Sequence, residues 1–279
     1  MRVLFSAAVV VTLFLFCSTA ANGQDTRALN ELAAEQLKNG EVEAAIDSFR
    51  KIIALTPNDA VANYNLGMSY YALGQYDRAV PAFRNAIKSK PDMGDAYVYL
   101  GNSLDNLKYF DQALAAYSKA VAIDPRNAEA FYEIGVANEK QKEYRAAADA
   151  YQRSYDIDPV KFAGNRSLAR CYYNLGEYAQ AIPAYRRAIE AEPKNHSNHL
   201  YLAYSYAKTA QLNLAIVSYN NALAIEPNNV YAIKGLGEAY LEQKDLVRAK
   251  KQHALLTSLN KDLADKLLAK ITAVSPKRP

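Results

Sequence analysis

The sequence predicts an all-α protein: a right-handed α-solenoid of seven helix–turn–helix repeats, closed by a C-terminal capping helix. Three recurrences at intervals of 34 residues carry this prediction: a proline, an alanine, and a small residue twelve positions before that alanine. The prolines are Pro57, Pro91, Pro125, Pro159, Pro193 and Pro227, and the alanines are Ala45, Ala79, Ala113, Ala147, Ala181, Ala215 and Ala249. A fixed period of this length is typical of stacked supersecondary units that each contact only their neighbours.

Residues 1–23 precede the repeats and are predicted to be a secretory signal peptide. Arg2 supplies a positive start, residues 3–16 carry no charge, and the small residues 18–21 follow. This order is typical of a cleaved export signal. A membrane anchor is the alternative, because residues 3–21 approach the roughly 20 apolar residues that a spanning helix needs. We expect an exported, periplasmic or secreted bacterial protein, with no integral membrane span after cleavage.

With the recurring proline as position 32, the repeats are expected to occupy 26–59, 60–93, 94–127, 128–161, 162–195, 196–229 and 230–263. Within each repeat, positions 4, 7, 8 and 11 share one helical face, and positions 20, 24 and 27 share a face of a second helix. Small residues at positions 8 and 20 would let the two helices approach, while large residues at 7, 17 and 24 fill the space beside them.

The two helices of a repeat are predicted to meet at position 15 and to end at the proline. Gly40, Gly74 and Gly176 occupy position 15 and favour a turn. The proline lacks an N–H group and disfavours helical backbone at the residue before it, so the second helix should end there. Beyond the repeats, residues 264–279 are predicted to form the capping helix and tail, because Leu267, Leu268, Ile271 and Val274 form an apolar stripe.

This pattern resembles the tetratricopeptide repeat (TPR) family over residues 26–263. It is clearest in NYNLGMSYYALGQYDRAVPAFRNAIKSKP (63–91) and in NRSLARCYYNLGEYAQAIPAYRRAIEAEP (165–193). The terminal repeats depart from it. In the first repeat Gln36 stands where the pattern has tyrosine or leucine. In the seventh repeat His253 replaces the aromatic residue and Lys261 replaces the proline. The resemblance implies a scaffold that binds a protein or peptide partner.

In the family, the first helix of each repeat lines a concave groove through positions 2, 5, 6, 9, 12 and 13. Tyrosine and arginine at such positions are typical of binding surfaces. The expected groove residues are Asn30, Tyr64, Asn65, Tyr71, Tyr99, Asn102, Tyr132, Arg166, Arg170, Tyr173, Tyr201, Tyr204 and Tyr231. Arg166 and Arg170 lie four residues apart on one helical face, where they would bind a carboxylate-bearing partner or pair with acidic residues of the fourth repeat, such as Glu133. The tyrosines could equally pack on one another.

Other functions find little support in the sequence. The formal net charge is only +4 with both signs mixed, which is unlike a nucleic-acid-binding protein. Motifs for catalysis or cofactor binding are missing, so we expect no catalytic, cofactor or metal residues and no enzyme activity. His196 and His199 have metal-ligand spacing, but no third ligand is near them in sequence. Signal cleavage would leave one cysteine, Cys171, and therefore no internal disulfide.

Three alternatives to a peptide-binding scaffold stay open at this point. The protein could be an assembly subunit of an envelope machine for pilus formation, secretion or outer-membrane biogenesis. It could be a carbohydrate-associated module in polysaccharide export, with tyrosines stacked on sugars. It could also be the regulatory subunit of a separately encoded enzyme.

Overall fold

The computed structural model of the protein describes residues 23–162 and 166–274. In these ranges the backbone forms α-helices and no β-strand, which confirms the predicted all-α solenoid. The first eight helices are α1 (Gly23–Lys38), α2 (Val42–Leu55), α3 (Ala60–Ala72), α4 (Tyr76–Ser89), α5 (Gly94–Asn106), α6 (Phe110–Ile123), α7 (Ala128–Lys140) and α8 (Tyr144–Ile157). The others are α9 (Pro159–Phe162), α10 (Arg166–Asn174), α11 (Tyr178–Ala191), α12 (His196–Lys208), α13 (Leu212–Ile225), α14 (Val230–Glu242), α15 (Leu246–Leu259) and α16 (Lys261–Val274).

The chain divides into two compact units, Met1–Glu133 and Ile134–Pro279, and the division falls within α7. In the first unit α1 to α6 pack consecutively, each helix on the next. In the second unit α8 packs on α10, and α10 to α16 again pack consecutively, with α16 also contacting α14. The predicted signal peptide lies outside the described residues except for Gly23, where α1 begins, and residues 275–279 of the predicted tail also lie outside them.

Every turn within a repeat passes through left-handed backbone at position 15. The predicted glycines Gly40, Gly74 and Gly176 have φ of 79°, 70° and 75°. The other four repeats adopt the same conformation without glycine. Those residues are Lys108, Lys142, Ala210 and Lys244, with φ between 57° and 66°. Left-handed backbone costs an L-residue roughly 1–2 kcal/mol, so the repeat geometry determines the turn even where the residue type opposes it.

Position 34, two residues after the recurring proline, begins the first helix of several repeats. The Asp59 carboxylate accepts hydrogen bonds from the Val61 and Ala62 N–H groups. Asn127, Asn195 and Asn229 cap their helices in the same way. These side chains satisfy N–H groups that have no partner within the helix.

Two helix boundaries differ from the sequence prediction. The fourth repeat has Lys161 at position 34 instead of a capping residue, and the short helix α9 forms there, with the Asp158 carboxylate accepting the Lys161 N–H. Helix α16 begins at Lys261, three residues before the predicted cap. The Asn260 side chain accepts the Leu263 N–H at 3.0 Å and so starts the helix earlier.

Small residues at position 8 let an aromatic ring of the second helix lie against the first. A Cβ atom on Gly101 would stand 2.4 Å from Cε1 of Tyr117, and one on Gly67 would stand 2.7 Å from Cε1 of Phe83. Both rings are buried. The ring at position 24 therefore occupies the space that a larger residue at position 8 would fill.

Candidate functional site

Two aromatic clusters occupy equivalent places in the two units. Each combines positions 12, 17 and 24 of one repeat with position 6 of the next. The first tyrosine cluster comprises Tyr71, Tyr76, Phe83 and Tyr99, and the second tyrosine cluster comprises Tyr173, Tyr178, Tyr185 and Tyr201. Each member of the second lies 102 residues, or three repeats, after its counterpart in the first.

In the first tyrosine cluster, the Tyr71 ring centroid lies 5.3 Å from that of Tyr76 and 5.5 Å from that of Tyr99, both edge-on. Phe83 stacks on Tyr99 at 6.1 Å with an interplanar angle of 21°. Tyr64 adjoins the cluster at 5.8 Å from Phe83 and 6.2 Å from Tyr99. Such pairs contribute about 0.5–1.5 kcal/mol each beyond their buried area, so the rings are held in a defined arrangement.

The second tyrosine cluster repeats this geometry. Tyr173 lies 5.4 Å from Tyr178 and 5.2 Å from Tyr201, both edge-on. Tyr185 stacks on Tyr201 at 6.0 Å and 11°. Tyr204 adjoins at 6.2 Å from Tyr201 and 6.5 Å from Tyr173. Position 12 of one repeat thus faces positions 6 and 9 of the next.

Contacts of Tyr204 continue the second tyrosine cluster towards α14. The Tyr204 ring lies 5.6 Å from Tyr219, edge-on, and its hydroxyl donates to the backbone carbonyl of Tyr231 at 3.3 Å. The Tyr231 side chain is 57% exposed, and Tyr201 is 38% exposed. The first helices therefore present aromatic rings that are packed on one side and open to solvent on the other.

The central tyrosine of each cluster, Tyr71 or Tyr173, keeps its hydroxyl proton at neutral pH. Burial raises the pKa of Tyr71 to about 12, with Tyr76 and Glu133 adding to the effect. Burial also raises the pKa of Tyr173, with smaller contributions from Tyr178 and Tyr201. Protonated phenols of this kind offer polar contacts beside an apolar ring.

The first tyrosine cluster lies in an acidic field. After burial, the charged groups that raise the pKa of Tyr99 are Glu129 and Asp95. Glu133 and Asp105 act in the same direction on Tyr71. Helices α3 and α5, which carry much of this surface, contain no lysine or arginine.

The second tyrosine cluster lies in a different field. Helix α10 contains Arg166 and Arg170 and no acidic residue, and α12 contains no acidic residue either. Burial raises the pKa of Tyr185, while Arg170 and Arg166 act to lower it. The two clusters share a shape and differ in the charge around them.

Three asparagines among the predicted groove residues are buried or hydrogen-bonded within the protein. Asn65 is 3% exposed, so the expectation that it lines an open groove is wrong. The Asn102 side-chain oxygen accepts the Tyr117 hydroxyl at 2.7 Å, so it already has a partner. Tyr132 is half-buried on α7, and Asn30 donates its amide to the Thr26 carbonyl at 3.0 Å.

Of the two roles that the sequence left open for Arg170, the structure shows an ion pair within the protein. Its Nε lies 2.6 Å from Oε1 of Glu139, and the other oxygen of that carboxylate accepts the Tyr151 hydroxyl at 3.0 Å. The ion pair with Glu139 agrees with the alternative that the arginines pair with acidic residues of the fourth repeat, and it forms because position 12 of one repeat faces position 9 of the next. Arg166 is exposed at the first described residue of α10. Of the two arginines, Arg166 is therefore exposed to solvent and Arg170 forms an ion pair within the protein.

His196 and His199, the two histidines with metal-ligand spacing, contact different groups. Nδ1 of His196 lies 2.7 Å from Glu226 Oε2, and Nε2 of His199 lies 2.9 Å from the Pro193 carbonyl oxygen. Over residues 23–162 and 166–274, three or more His, Cys, Asp or Glu side chains do not come together as a metal site would require. The helices described there are also too short or too polar to cross a membrane. Cys171 is buried, and burial raises the pKa of its thiol to about 12.

Family models match most of the repeat region. Tetratricopeptide repeat models match residues 64–125, 128–161 and 166–195, and a TPR repeat model matches residues 35–74 and 109–142. Together the matches span more than half of the chain. No curated protein matches the chain in sequence.

Solved structures show the same fold at low sequence identity. YrrB, described as a TPR protein with an unusual peptide-binding site, is 21% identical with a TM-score of 0.63, over 68% of this chain and 99% of that one. The C-terminal part of a TPR repeat-containing protein from Cytophaga hutchinsonii is 20% identical with a TM-score of 0.66, over 86% and 98%. A tetratricopeptide repeat protein from Parabacteroides merdae is 17% identical with a TM-score of 0.58, over 90% and 100%.

Proposed function

Because this chain is a tetratricopeptide repeat protein, we propose that it is a non-enzymatic scaffold that binds a protein or peptide on the first-helix face of its repeats. The observation that carries the proposal is the pair of tyrosine clusters. Both hold rings rigidly through packing on one side and leave them partly open on the other. Rigid tyrosines bind with little loss of side-chain entropy and offer both apolar area and a hydroxyl.

The resemblance to YrrB in fold supports a peptide as the class of ligand, since that protein is described as having a peptide-binding site. Proteins of the TPR family generally bind protein or peptide partners. An extended segment would cross successive first helices and contact Tyr64, Tyr71 and Tyr99, or Tyr173, Tyr201, Tyr204 and Tyr231.

Tyr201→Ser/Tyr231→Ser is expected to weaken binding of selected peptides by at least about tenfold, because truncating aromatic residues at the centre of an interface commonly costs 2 kcal/mol or more. The ligands are peptides selected on the wild-type protein from a random display library, and their affinities are measured by fluorescence polarisation. Peptides that bind the second tyrosine cluster should lose affinity for this variant.

Tyr109→Ser is the matched control. Tyr109 is 55% exposed, close to the 57% of Tyr231. It comes directly before α6, a second helix, and belongs to neither tyrosine cluster. This control should bind every selected peptide as the wild type does. If no peptide is enriched, or if Tyr109→Ser is the variant that loses binding, the proposal is wrong.

We also propose that the scaffold works outside the cytoplasm, on the basis of residues 1–23. Their positive start, uncharged apolar stretch and small residues support cleavage by a signal peptidase. Intact-mass analysis of the protein from its native host should give a chain that begins between Ala21 and Asp25, without lipid. A retained Met1 or a lipid adduct on Cys17 would contradict export in this form.

A further inference from the structure

We propose that the surface formed by the first tyrosine cluster, Tyr64, Asp95 and Glu129 binds a protein segment that carries lysine or arginine side chains. This inference rests on the proposed function and names the chemistry of one partner. Together these residues form the acidic tyrosine surface.

The helical register places acidic and aromatic groups together. Asp95 lies four residues before Tyr99 in α5, so both side chains project from one face of that helix. Helix α3 packs against α5 and brings the Tyr64 ring to 6.2 Å from Tyr99. Asp95 and Glu129 are both exposed and both act electrostatically on Tyr64. The surface therefore presents ring faces and edges next to carboxylates.

Such a surface suits a cation with an apolar stem. The face of a tyrosine ring attracts ammonium and guanidinium groups, while a neighbouring carboxylate pairs with them. The methylene stems of lysine and arginine cover apolar area as their charged ends reach the carboxylates. An anionic segment would meet repulsion from the same groups.

The charge of this surface differs from that of the whole chain. The protein carries 33 basic and 29 acidic residues, a net charge of +4. Helices α3 and α5 nevertheless contain two acidic residues, Asp95 and Asp105, and no basic one. Asp95 and Glu129 also repel each other: partial burial raises the pKa of the Asp95 carboxyl, and the charge of Glu129 raises it further. A bound cation would relieve that repulsion.

The second tyrosine cluster serves as an internal comparison. It has nearly the same ring geometry, but Ser197 and Tyr231 stand at the positions equivalent to Asp95 and Glu129, and the neighbouring helix α10 carries Arg166 and Arg170. A basic segment should therefore prefer the first cluster to the second. The ring-to-ring distances within the two clusters differ by only a few tenths of an ångström. The preference is therefore expected to come from the charged groups and from Tyr64, whose equivalent beside the second cluster is Arg166.

The test uses the full chain and two fluorescent synthetic peptides, one of alternating lysine and serine and one of alternating glutamate and serine. The lysine peptide is expected to bind the wild type at least about tenfold more tightly than the glutamate peptide, and salt should weaken its binding. Asp95→Asn/Glu129→Gln should lower the affinity for the lysine peptide by about tenfold or more.

The control variant is Asp77→Asn/Asp111→Asn. These two carboxylates are exposed and lie in the first turns of the second helices α4 and α6, as Asp95 and Glu129 lie in the first turns of α5 and α7. Both variants change the net charge equally and remove acidic groups from equivalent helix ends. The control should keep the wild-type affinity, and circular dichroism should show that both variants are folded.

The outcomes separate this inference from the proposed function. If both double variants lose the same affinity, the lysine peptide responds to net charge and the acidic tyrosine surface is not its site. If the library yields peptides that bind the first-helix face but are acidic or uncharged, the scaffold function holds and the basic-partner inference is wrong. If no library or synthetic peptide binds at all, both are wrong.

Discussion

Leu267→Ala is expected to lower the free energy of unfolding by about 2–5 kcal/mol, whereas Leu268→Ala should lower it by less than about 1 kcal/mol. The Leu267 side chain is fully buried, while Leu268, the next residue of α16, is 40% exposed. The Cδ2 atom of Leu267 lies 2.6 Å from where a Cβ on Gly237 would stand, so it fills the groove beside α14. Chemical denaturation followed by circular dichroism measures both changes.

Removing the whole of α16 should have a larger effect. Helix α16 packs on α14 and α15, with Ala264, Leu267 and Ile271 buried. Each large apolar side chain contributes on the order of 1.5–3 kcal/mol on burial, and their loss would expose an apolar face that favours aggregation. A chain ending at Asn260 that stays monomeric with an unchanged Tm would show that α16 does not act as a cap.

Gly101→Ala is expected to lower the free energy of unfolding by about 1–3 kcal/mol, because the new methyl group would overlap the buried Tyr117 ring. The ring is fixed by packing and by its hydrogen bond to Asn102 at 2.7 Å, so it cannot move aside at low cost.

Gly94→Ala in the same helix is the matched control. A Cβ on Gly94 would meet its nearest atom, Cγ2 of Ile123, at 3.8 Å, which is ordinary van der Waals contact. Alanine is a better helix former than glycine by up to about 1 kcal/mol, so this variant should be neutral or more stable. Equal destabilisation by the two substitutions would contradict the account of ring packing at position 8.

The repeat architecture was predictable because its period depends on residue types with strong local effects. The recurring proline ends each second helix, and the small residues at positions 8 and 20 permit close helix packing. The left-handed turns at Lys108, Lys142, Ala210 and Lys244 were not predictable from those residues, since lysine and alanine do not favour such backbone. Their position in the period was the only available signal.

The site was predictable in composition and less so in arrangement. Tyrosines at groove positions pointed to the first helices, but the pairing of position 12 with positions 6 and 9 of the next repeat depends on how repeats stack. That offset explains why Glu139 is the acidic residue of the fourth repeat that pairs with Arg170. The 102-residue spacing that relates Tyr71, Tyr76, Phe83 and Tyr99 to Tyr173, Tyr178, Tyr185 and Tyr201 was the sequence signal for two equivalent clusters.

The most direct test of the central claim is a hydrogen-exchange footprint of a library-selected peptide on the full chain. Binding on the first-helix face predicts slower exchange in α3 and α5, or in α12 and α14, with little change in the second helices α4, α6, α13 and α15. Protection confined to the second helices, or to the turns between the helices of a repeat, would contradict the claim that the tyrosine clusters form the binding surface.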